Sequence, residues 1–363
     1  MDSTKPVIIM IIGSLGDGGK ERQLILLLKH LRERGHFSTV LVVCNAGGER
    51  ELEAKKYANH MVTLSRRQGY NLLTPAMEII KVIKSSDANL IHTWGSGIWD
   101  LIGVLAAKWC RKPILNNGLQ SAPENISFSD LLTRFSAYFA DSIVANSQAG
   151  LRAFKLDTQT KSTVVYNGLD LSRFEDVNSD ALDKNLCMVA NFREEKDHKT
   201  LIIAMSTLVK RYPGVTLNLV GHDYGTLKSI QDFSDELGIS DHIVYVTDCL
   251  EPKEIIGKSL ICILSTHGEG VSNVLLEYMA LSKPIIVTNN GGNPEVVIDQ
   301  VNGYLIPPNS PESMVEKVDI LLSNRKLALK MGKAGNALVK QKFSLDTMVD
   351  SFEVMYSQLI ETK

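Results

Sequence analysis

Residues 265–280 read STHGEGVSNVLLEYMA, and the interpretation of the whole chain starts from them. Glu269 stands between two glycines, and Glu277 follows inside an apolar segment with helical spacing. Apolar runs flank this segment, Leu260 to Leu264 before it and Pro284 to Thr288 after it. The pattern predicts a strand, a glycine-containing loop, a helix and a second strand, which together form one unit of a parallel sheet.

The two carboxylates of this segment suit a nucleotide sugar. Its helix begins just beyond the carboxyl end of a parallel strand, where open α/β sheets bind ligands. The first N–H groups of a helix have no partner inside the helix and therefore suit a diphosphate. A helical path from Glu269 to Glu277 would span ~12 Å, so one carboxylate would reach the sugar and the other the ribose. In the alternative interpretation both glutamates are solvated, the first in a loop and the second on a helix surface.

The segment and its continuation resemble a known signature. After Glu269 and Glu277 come Lys283-Pro284-Ile285-Ile286-Val287 and Gly291-Gly292-Asn293-Pro294-Glu295. This arrangement is similar to the signature of retaining GT-B glycosyltransferases, specifically glycosyltransferase family 4, and the resemblance is densest over residues 185–310. It implies an α/β protein of GT-B fold, in which two Rossmann-like, doubly wound parallel-sheet domains face each other across a cleft. The final helix of such a fold crosses back to the N-terminal domain.

Composition agrees with a soluble two-domain enzyme. The chain has 363 residues, 44% hydrophobic content and a formal net charge of −2, so it exceeds one usual domain. The five cysteines are scattered without a Cys-x-x-Cys pair, which indicates neither a disulfide framework nor a zinc site and favours a reducing compartment. The apolar run of residues 7–12 is too short to cross a bilayer. We therefore expect a cytoplasmic protein without a secretory or transmembrane segment.

A glycine-rich turn, GSLGDGG at residues 13–19, joins the first predicted strand to the first helix. A nicotinamide-cofactor fingerprint needs Gly-x-Gly-x-x-Gly, which this spacing does not match, and no acid ends the second strand. In the glycosyltransferase interpretation Gly18 and Gly19 line the cleft, where they contact the sugar phosphate or the acceptor. The alternative is a tight turn that binds no ligand.

His92 ends a predicted strand and opens the loop Thr93-Trp94-Gly95. Members of the family commonly carry two histidines one residue apart at the equivalent strand end, and here Trp94 takes the second place. The resemblance makes His92 a candidate catalytic residue, while a structural histidine is the alternative.

The end of the first domain also resembles the family near Asn167-Gly168. It predicts an N-terminal acceptor-binding domain of residues 1–170 together with helix 344–363, and a C-terminal nucleotide-sugar-binding domain of residues 171–343.

The second half restarts the pattern with an apolar strand and the loop Asn191-Phe192-Arg193-Glu194-Glu195-Lys196. Family members usually have Gly-Arg-Leu here and a lysine a few residues later. Asn191 therefore occupies the place of the usual arginine, Lys196 aligns with the lysine, and Arg193 is a candidate replacement for the missing charge. Both cations suit a diphosphate, because Arg and Lys supply positive charge and Arg adds a fork of donors. A solvated charge run is the alternative.

Further donor contacts are expected at strand ends and at the helix start. Gly221 ends the next strand, and Asp248 follows the strand after which the family binds the nucleotide base. The N–H groups that would face the diphosphate belong to Gly270, Val271, Ser272 and Asn273.

These features predict a retaining glycosyltransferase that moves a sugar from a nucleotide-sugar donor to a hydroxyl acceptor, such as a lipid-linked or polysaccharide intermediate. Glu269 would orient the sugar, Glu277 would hold the ribose, and Lys196 with Arg193 would stabilise the leaving diphosphate. A UDP-sugar is slightly favoured over a GDP-sugar. No cofactor is expected, and no metal, because the chain lacks an Asp-x-Asp motif. The alternatives are a non-hydrolysing nucleotide-sugar epimerase of the same fold and a catalytically silent partner subunit.

Charge is distributed unevenly along the chain. Residues 1–170 contain 20 Lys/Arg and 15 Asp/Glu, whereas the remainder contains 19 and 26. Local basic pairs occur at Lys55-Lys56 and Arg66-Arg67. A positive half would suit peripheral contact with an anionic membrane surface on the cytoplasmic side, although plain solvated charge is the alternative. Nucleic acid binding is not expected, because no basic run is interleaved with aromatic residues.

Overall fold

The chain divides into two units, each built around one parallel sheet. The structure is a computed structural model that describes residues 5–16, 18–64, 72–123, 125–178, 184–247, 249 and 251–362. One unit comprises Met1–Gly168 and Leu345–Lys363, and the other comprises Leu169–Ser344. The described residues contain no helix that is both long and apolar enough to span a membrane.

The first unit alternates strands and helices. Its elements are β1 (Val7–Ile12), α1 (Gly19–Arg34), β2 (Ser38–Val43), α2 (Glu51–Tyr57), β3 (His60–Thr63), α3 (Leu73–Ser85), β4 (Leu90–Thr93), α4 (Ile98–Trp109), β5 (Ile114–Leu119), α5 (Phe128–Phe139), β6 (Ser142–Ala145), α6 (Gln148–Ala153) and β7 (Ser162–Val164). Within the described residues the strand order is β3-β2-β1-β4-β5-β6-β7, and neighbouring strands are parallel. Every residue of β1 and β2 is buried, as expected when helices cover both faces of a parallel sheet.

The second unit repeats this plan. Its elements are β8 (Asn185–Val189), α7 (His198–Arg211), β9 (Thr216–Val220), α8 (Leu227–Glu236), β10 (Ile243–Val246), α9 (Lys253–Lys258), β11 (Ile261–Leu264), α10 (Asn273–Ala280), β12 (Ile285–Thr288), α11 (Asn293–Val296), β13 (Gly303–Ile306), α12 (Pro311–Ser323) and α13 (Arg325–Lys342). Over the described part the strand order is β10-β9-β8-β11-β12-β13, again parallel. The order reverses between β8 and β11, which is where open α/β sheets bind ligands.

The last helix, α14 (Leu345–Glu361), belongs to the first unit although it follows the second along the chain. Its apolar stripe places Met348, Val349, Phe352 and Tyr356 in the same buried cluster as Ile8 and other residues of the first sheet. Arg34 of α1 anchors the exposed side of α14 through ion pairs to Asp346, Asp350 and Glu353. The predicted return of the final helix to the N-terminal domain is confirmed, because the stripe completes a core that the first 168 residues leave open.

Candidate active site

The loop after β8 is held by backbone pairing to the segment after β9. Phe192 donates its N–H to the carbonyl of His222 at 2.8 Å, and the N–H of Tyr224 is donated to the carbonyl of Phe192 at 3.1 Å. The side chain of Asn191 accepts from the N–H of His222 at 3.1 Å. Only glycine fits at Gly221, since a Cβ there would lie 2.2 Å from the carbonyl oxygen of Ala190. The structure therefore gives Asn191 and Gly221 a shared role in shaping this loop.

A second set of bonds ties the loop after β8 to the end of β11. Asp197 caps α7 by accepting from the N–H of Thr200, and it also accepts from the hydroxyl of Ser265 at 2.9 Å. The carbonyl of Glu195 accepts from the hydroxyl of Thr266 at 3.1 Å. Sequence analysis missed Asp197, although an aspartate immediately before a predicted helix is a known N-cap signal. These bonds bring the two loops of the strand-order reversal together.

Lys196 and Glu269 meet at this junction as an ion pair. Both side chains are largely withdrawn from solvent, with 18% and 17% of their surface exposed. Burial lowers the pKa of Lys196 to about 8, while the neighbouring charge of Glu195 opposes that shift. The ammonium therefore remains mostly charged at neutral pH, and it stands beside the carboxylate that the sequence assigned to the sugar.

Arg193 lies in the same loop but makes different contacts. Its guanidinium stacks on the ring of Tyr224, 3.6 Å from the ring centroid, and it pairs with Glu195 at 3.8 Å. Its side chain is 42% exposed, so it lies at a more open position than Lys196. Arg193 is therefore a second cation of this loop, and its guanidinium rests on an aromatic ring.

The backbone around Glu269 rests on the glycine pair that follows β12. Gly292 donates its N–H to the carbonyl of Glu269 at 2.9 Å. Gly291 has a φ of +52°, and a Cβ there would lie 2.1 Å from the same carbonyl oxygen. A Cβ at Gly292 would lie 2.6 Å from the carbonyl oxygen of Gly270. Both glycines are needed because the two backbones touch.

Glu269 lies before α10 rather than inside it, since that helix begins at Asn273. The expected helical path from Glu269 to Glu277 is therefore wrong, because only its second half is helical. The residues between them, from Gly270 to Ser272, form the approach to the helix start. Ser272 occupies the N-cap without a side-chain cap bond.

Glu277 is buried in α10, with 5% of its surface exposed. Burial raises its pKa to about 7, while the charge of Arg173 opposes this shift and that of Glu251 adds to it. Arg173 itself is held by Glu251 through two bonds of 2.8 Å. Sequence analysis missed Arg173 and Glu251, which come from distant segments and carry no motif. The alternative of an exposed helix acid is wrong for Glu277.

The remaining candidates lie in the first unit or outside the described residues. His92 is fully buried, with its Nδ1 2.7 Å from the hydroxyl of Tyr356 and 3.2 Å from the indole nitrogen of Trp94. Burial lowers its pKa to about 3, so the imidazole is neutral.

Gly18 is the N-cap of α1 and Gly19 its first residue. Asp248 lies outside the described residues, as do Arg66 and Arg67. Among the residues that the structure describes, no group of three or more His, Cys, Asp or Glu side chains could hold a metal ion.

Comparison with known proteins identifies the family. Residues 17–173 match the model of Glycosyltransferase Family 4, and residues 172–337 match that of Glycosyl transferases group 1. The crystal structure of HepE from Anabaena in complex with UDP gives a TM-score of 0.86 at 20% identity, covering 97% of this chain and 99% of that one. The chain is a GT-B glycosyltransferase. The expected fold class is thereby confirmed.

This glycosyltransferase resembles further proteins over different lengths. It is 24% identical over 357 residues to the lipopolysaccharide core biosynthesis glycosyltransferase LpsE of Rhizobium meliloti, covering 96% of this chain and 97% of the relative. It is 28% identical over 162 residues, 42% of each chain, to a GDP-mannose-dependent phosphatidylinositol monomannoside mannosyltransferase of Mycobacterium tuberculosis. The Anabaena protein in complex with UDP-glucose gives a TM-score of 0.85 at 20% identity, with 97% and 99% coverage. These likenesses do not favour an epimerase or a silent partner subunit.

Proposed function

We propose that this glycosyltransferase moves a sugar from a nucleotide-sugar donor to a hydroxyl acceptor with retention of configuration. The observation that carries the proposal is the ion pair of Lys196 and Glu269 between the loops after β8 and β11. A cation suited to a diphosphate and a carboxylate suited to sugar hydroxyls stand side by side where the strand order reverses. The UDP and UDP-glucose bound by the Anabaena protein support a donor of this class.

Donor binding would rearrange this pair. In the structure the charge of Lys196 is compensated by Glu269. A diphosphate offers Lys196 a stronger partner, so the carboxylate of Glu269 becomes available to the hydroxyls of the transferred sugar. Arg193 and the N–H groups from Gly270 to Asn273 would add positive potential around the same phosphates. Gly221 and Asn191 would keep the neighbouring loop close enough to the donor.

The proposed chemical step combines this arrangement with the mechanism that the family resemblance implies. The bond between the anomeric carbon and the phosphate oxygen breaks, and the negative charge that develops on the diphosphate is stabilised by Lys196. Glu269 stabilises the positive charge that grows on the sugar ring. The acceptor oxygen bonds to the anomeric carbon on the same face, and its proton passes to the departing phosphate. Glu277 holds the ribose hydroxyls throughout.

We propose that the reaction needs neither a cofactor nor a metal, because the protein's own cations face the diphosphate. Turnover that persists in excess EDTA would support this, and turnover that is lost with EDTA and restored by Mg²⁺ or Mn²⁺ would refute it. The roles of His92, Gly18, Gly19 and Asp248 in donor or acceptor binding remain proposals that alanine or serine variants can test.

The acceptor is proposed to be a lipid-linked or polysaccharide intermediate, presented at the cytoplasmic face of a membrane. The names of the Rhizobium and Mycobacterium relatives support this class of acceptor. The excess of Lys and Arg in residues 1–170 agrees with attraction to an anionic surface. A UDP-sugar is proposed ahead of a GDP-sugar, and the relatives include examples of both donors.

A donor screen tests the proposal. Thermal unfolding is measured with UDP, GDP, ADP and their common sugar conjugates, since a ligand that binds the native state raises apparent stability. We expect one nucleotide series to stabilise the protein, and NMR of the product formed with that donor to show the α-anomer. Donor turnover that needs no acceptor would indicate an epimerase instead. Absence of stabilisation by every nucleotide would indicate a silent subunit.

A further inference from the structure

Helix α5 has its large apolar side chains on the solvent side. Phe128, Leu131, Phe135, Tyr138 and Phe139 are 41% to 76% exposed, and their spacing places them along one side of the helix. Its buried residues are Thr133, Ser136 and Ala137. A surface helix normally does the opposite and buries its apolar face against the core. We call these five exposed residues the aromatic face of α5.

The inward side of α5 explains why small polar residues are needed there. Ser136 donates its hydroxyl to the buried carboxylate of Asp100 on α4, which also accepts from Asn116 at 2.8 Å. Thr133 accepts from the N–H of Gly97 at 2.7 Å. The inner side is therefore specified by hydrogen bonds to buried groups. These bonds fix the rotation of the helix about its axis. The aromatic residues therefore point away from the core of the protein.

The neighbouring helix extends the apolar surface. Helix α4 packs against α5 and exposes Leu105 at 50% and Trp109 at 75%. Exposed apolar residues that occur singly are ordinary, whereas a group on two adjacent helices marks an interaction surface. The aromatic content also fits a bilayer interface, where Trp and Tyr are enriched.

Basic residues surround this surface. Lys108 and Arg111 are exposed at the end of α4, and Lys161 donates to the carbonyls of Tyr138 and Ala140 at the end of α5. Arg134 lies within α5 itself, and Lys112 follows Arg111. Two acids near this surface are already engaged: Asp130 belongs to the capping box of α5, and Asp141 pairs with Lys108 at 3.4 Å. The apolar surface therefore has a predominantly cationic border.

We propose that the aromatic face of α5, with Leu105 and Trp109 of α4, docks on the surface of an anionic lipid bilayer. Apolar side chains would enter the headgroup and acyl boundary while the basic border faces the anionic lipids. A symmetric pair of copies suits this surface less well, because an isologous contact brings the same cationic border against itself. The inference moves the membrane contact from Lys55-Lys56 and Arg66-Arg67 to α4 and α5.

The position of α5 agrees with a lipid-linked acceptor. Ser129 and Thr133 contact Gly97, in the loop that follows β4. That loop lies at the carboxyl edge of the first sheet, beside the reversal of strand order between β1 and β4. The docking surface thus begins at the edge of the unit to which the sequence assigned the acceptor. The inference rests on the proposed function only in linking this surface to a lipid-linked acceptor. Lipid binding itself can be measured without any transfer reaction.

Vesicle co-sedimentation of the full chain tests the proposal. The probe is a vesicle of phosphatidylcholine and phosphatidylglycerol in equal amounts, compared with pure phosphatidylcholine. The test variant carries Phe128→Ser, Phe135→Ser and Phe139→Ser, and the control carries Leu329→Ser and Val354→Ser, which change residues of similar exposure, 53% and 55%, on other helices. We expect the wild type and the control to bind the anionic vesicles, and the test variant to bind about tenfold or more weakly.

The other outcomes are equally defined. Binding that weakens as salt rises, and that is weaker on pure phosphatidylcholine, supports a role of the cationic border in binding. Weaker binding of the double variant Lys108→Glu with Arg134→Glu supports the same role. A test variant that binds vesicles as strongly as the wild type overturns the proposal. If reversal of Lys55, Lys56, Arg66 and Arg67 to Glu then abolishes binding, the membrane contact lies at those basic pairs instead. The proposal is also overturned if the wild type does not bind vesicles but forms a dimer, and the test variant is monomeric. This face would then be a contact between two copies of the chain. UDP-induced thermal stabilisation, measured on every variant, shows that the second unit is intact and keeps a failure here separate from a failure of the proposed function.

Discussion

Lys196 and Glu269 pair across two loops that are joined by Asp197, Ser265, Glu195 and Thr266. Because this network fixes the two loops, only the side chains of Lys196 and Glu269 have to exchange partners when the donor arrives. A cation whose loop is already in position stabilises the negative charge of the transition state at a small reorganisation cost.

Removal of the lysine charge should therefore affect turnover more than donor binding. We expect Lys196→Ala to lower kcat about 10²-fold, equivalent to ~3 kcal/mol of lost transition-state stabilisation. Lys199→Ala, an exposed lysine of α7, is the matched control and should leave kcat unchanged. Steady-state kinetics with the donor found in the screen measure both. If Lys196→Ala raised only KM, its charge would contribute to ground-state binding alone.

Arg193 provides a comparison within the same loop. We expect Arg193→Ala to lower kcat less than Lys196→Ala, because the guanidinium is more exposed and is held by the ring of Tyr224. Wild-type kinetics for Arg193→Ala would mean that this arginine does not replace the family's arginine at Asn191.

The two glutamates should separate chemistry from nucleotide binding. Glu269→Gln keeps the size of the side chain and removes its charge, so it should bind free UDP or GDP almost normally while turnover falls by orders of magnitude. Glu277→Ala should bind the free nucleotide poorly, because the ribose contact is made before and during the reaction. Calorimetry with the nucleotide and a turnover assay on both variants measure these effects. Equal loss of nucleotide affinity in both variants would contradict the division of roles.

Glu277 should make stability depend on pH. Its pKa is raised by burial from 4.5 to about 7 in the folded chain, so the protonated form favours folding. The benefit is present below pH 4.5 and is lost as pH rises through about 7, by up to ~3 kcal/mol. Glu277→Gln should therefore raise thermal stability at pH 8 and have little effect near pH 4.5. Unfolding scans at both values measure this, with Glu236→Gln as an exposed control. A stability gain that is equal at both pH values would place the cause outside this carboxyl group.

The contact of Gly291 with Glu269 should be essential for turnover. Gly291→Ala places a methyl group against the carbonyl of Glu269, whereas Gly238→Ala meets open space at a similar φ of +67°. Both variants carry the backbone cost of alanine at positive φ, about 1 kcal/mol, but only the first displaces the catalytic loop. We expect kcat to fall tenfold or more for Gly291→Ala, ~1.4 kcal/mol, and to stay near wild type for Gly238→Ala. Kinetics and melting temperatures of both variants distinguish displacement of Glu269 from loss of stability. If Gly291→Ala turned over at the wild-type rate, the contact between Gly291 and Glu269 would not be needed for catalysis.

The sequence by itself determined the elements whose signals are local. Buried strands such as residues 7–12 and 260–264 are apolar runs bounded by turns, and α14 shows its packing stripe in the spacing of Met348, Phe352 and Tyr356. The roles assigned to Lys196 and Glu269 came from motif spacing together with a family resemblance. Each of these signals lies within a short window of the chain, which is why they can be read without coordinates.

Only the tertiary structure decided which distant groups meet. The contacts of Asp197 with Ser265 and of Arg173 with Glu251 join separate segments, and the spacing within neither segment reveals its partner. The start of α10 at Asn273 removed the helical path assumed from Glu269, because Gly291 and Gly292 hold that loop in a non-helical shape. Helix α5 has an apolar and a polar side, and its apolar side faces solvent because Asp100 and Gly97 bind its polar side. Periodicity shows that a helix has two different faces, while the hydrogen-bonding groups of its neighbours determine which face is buried.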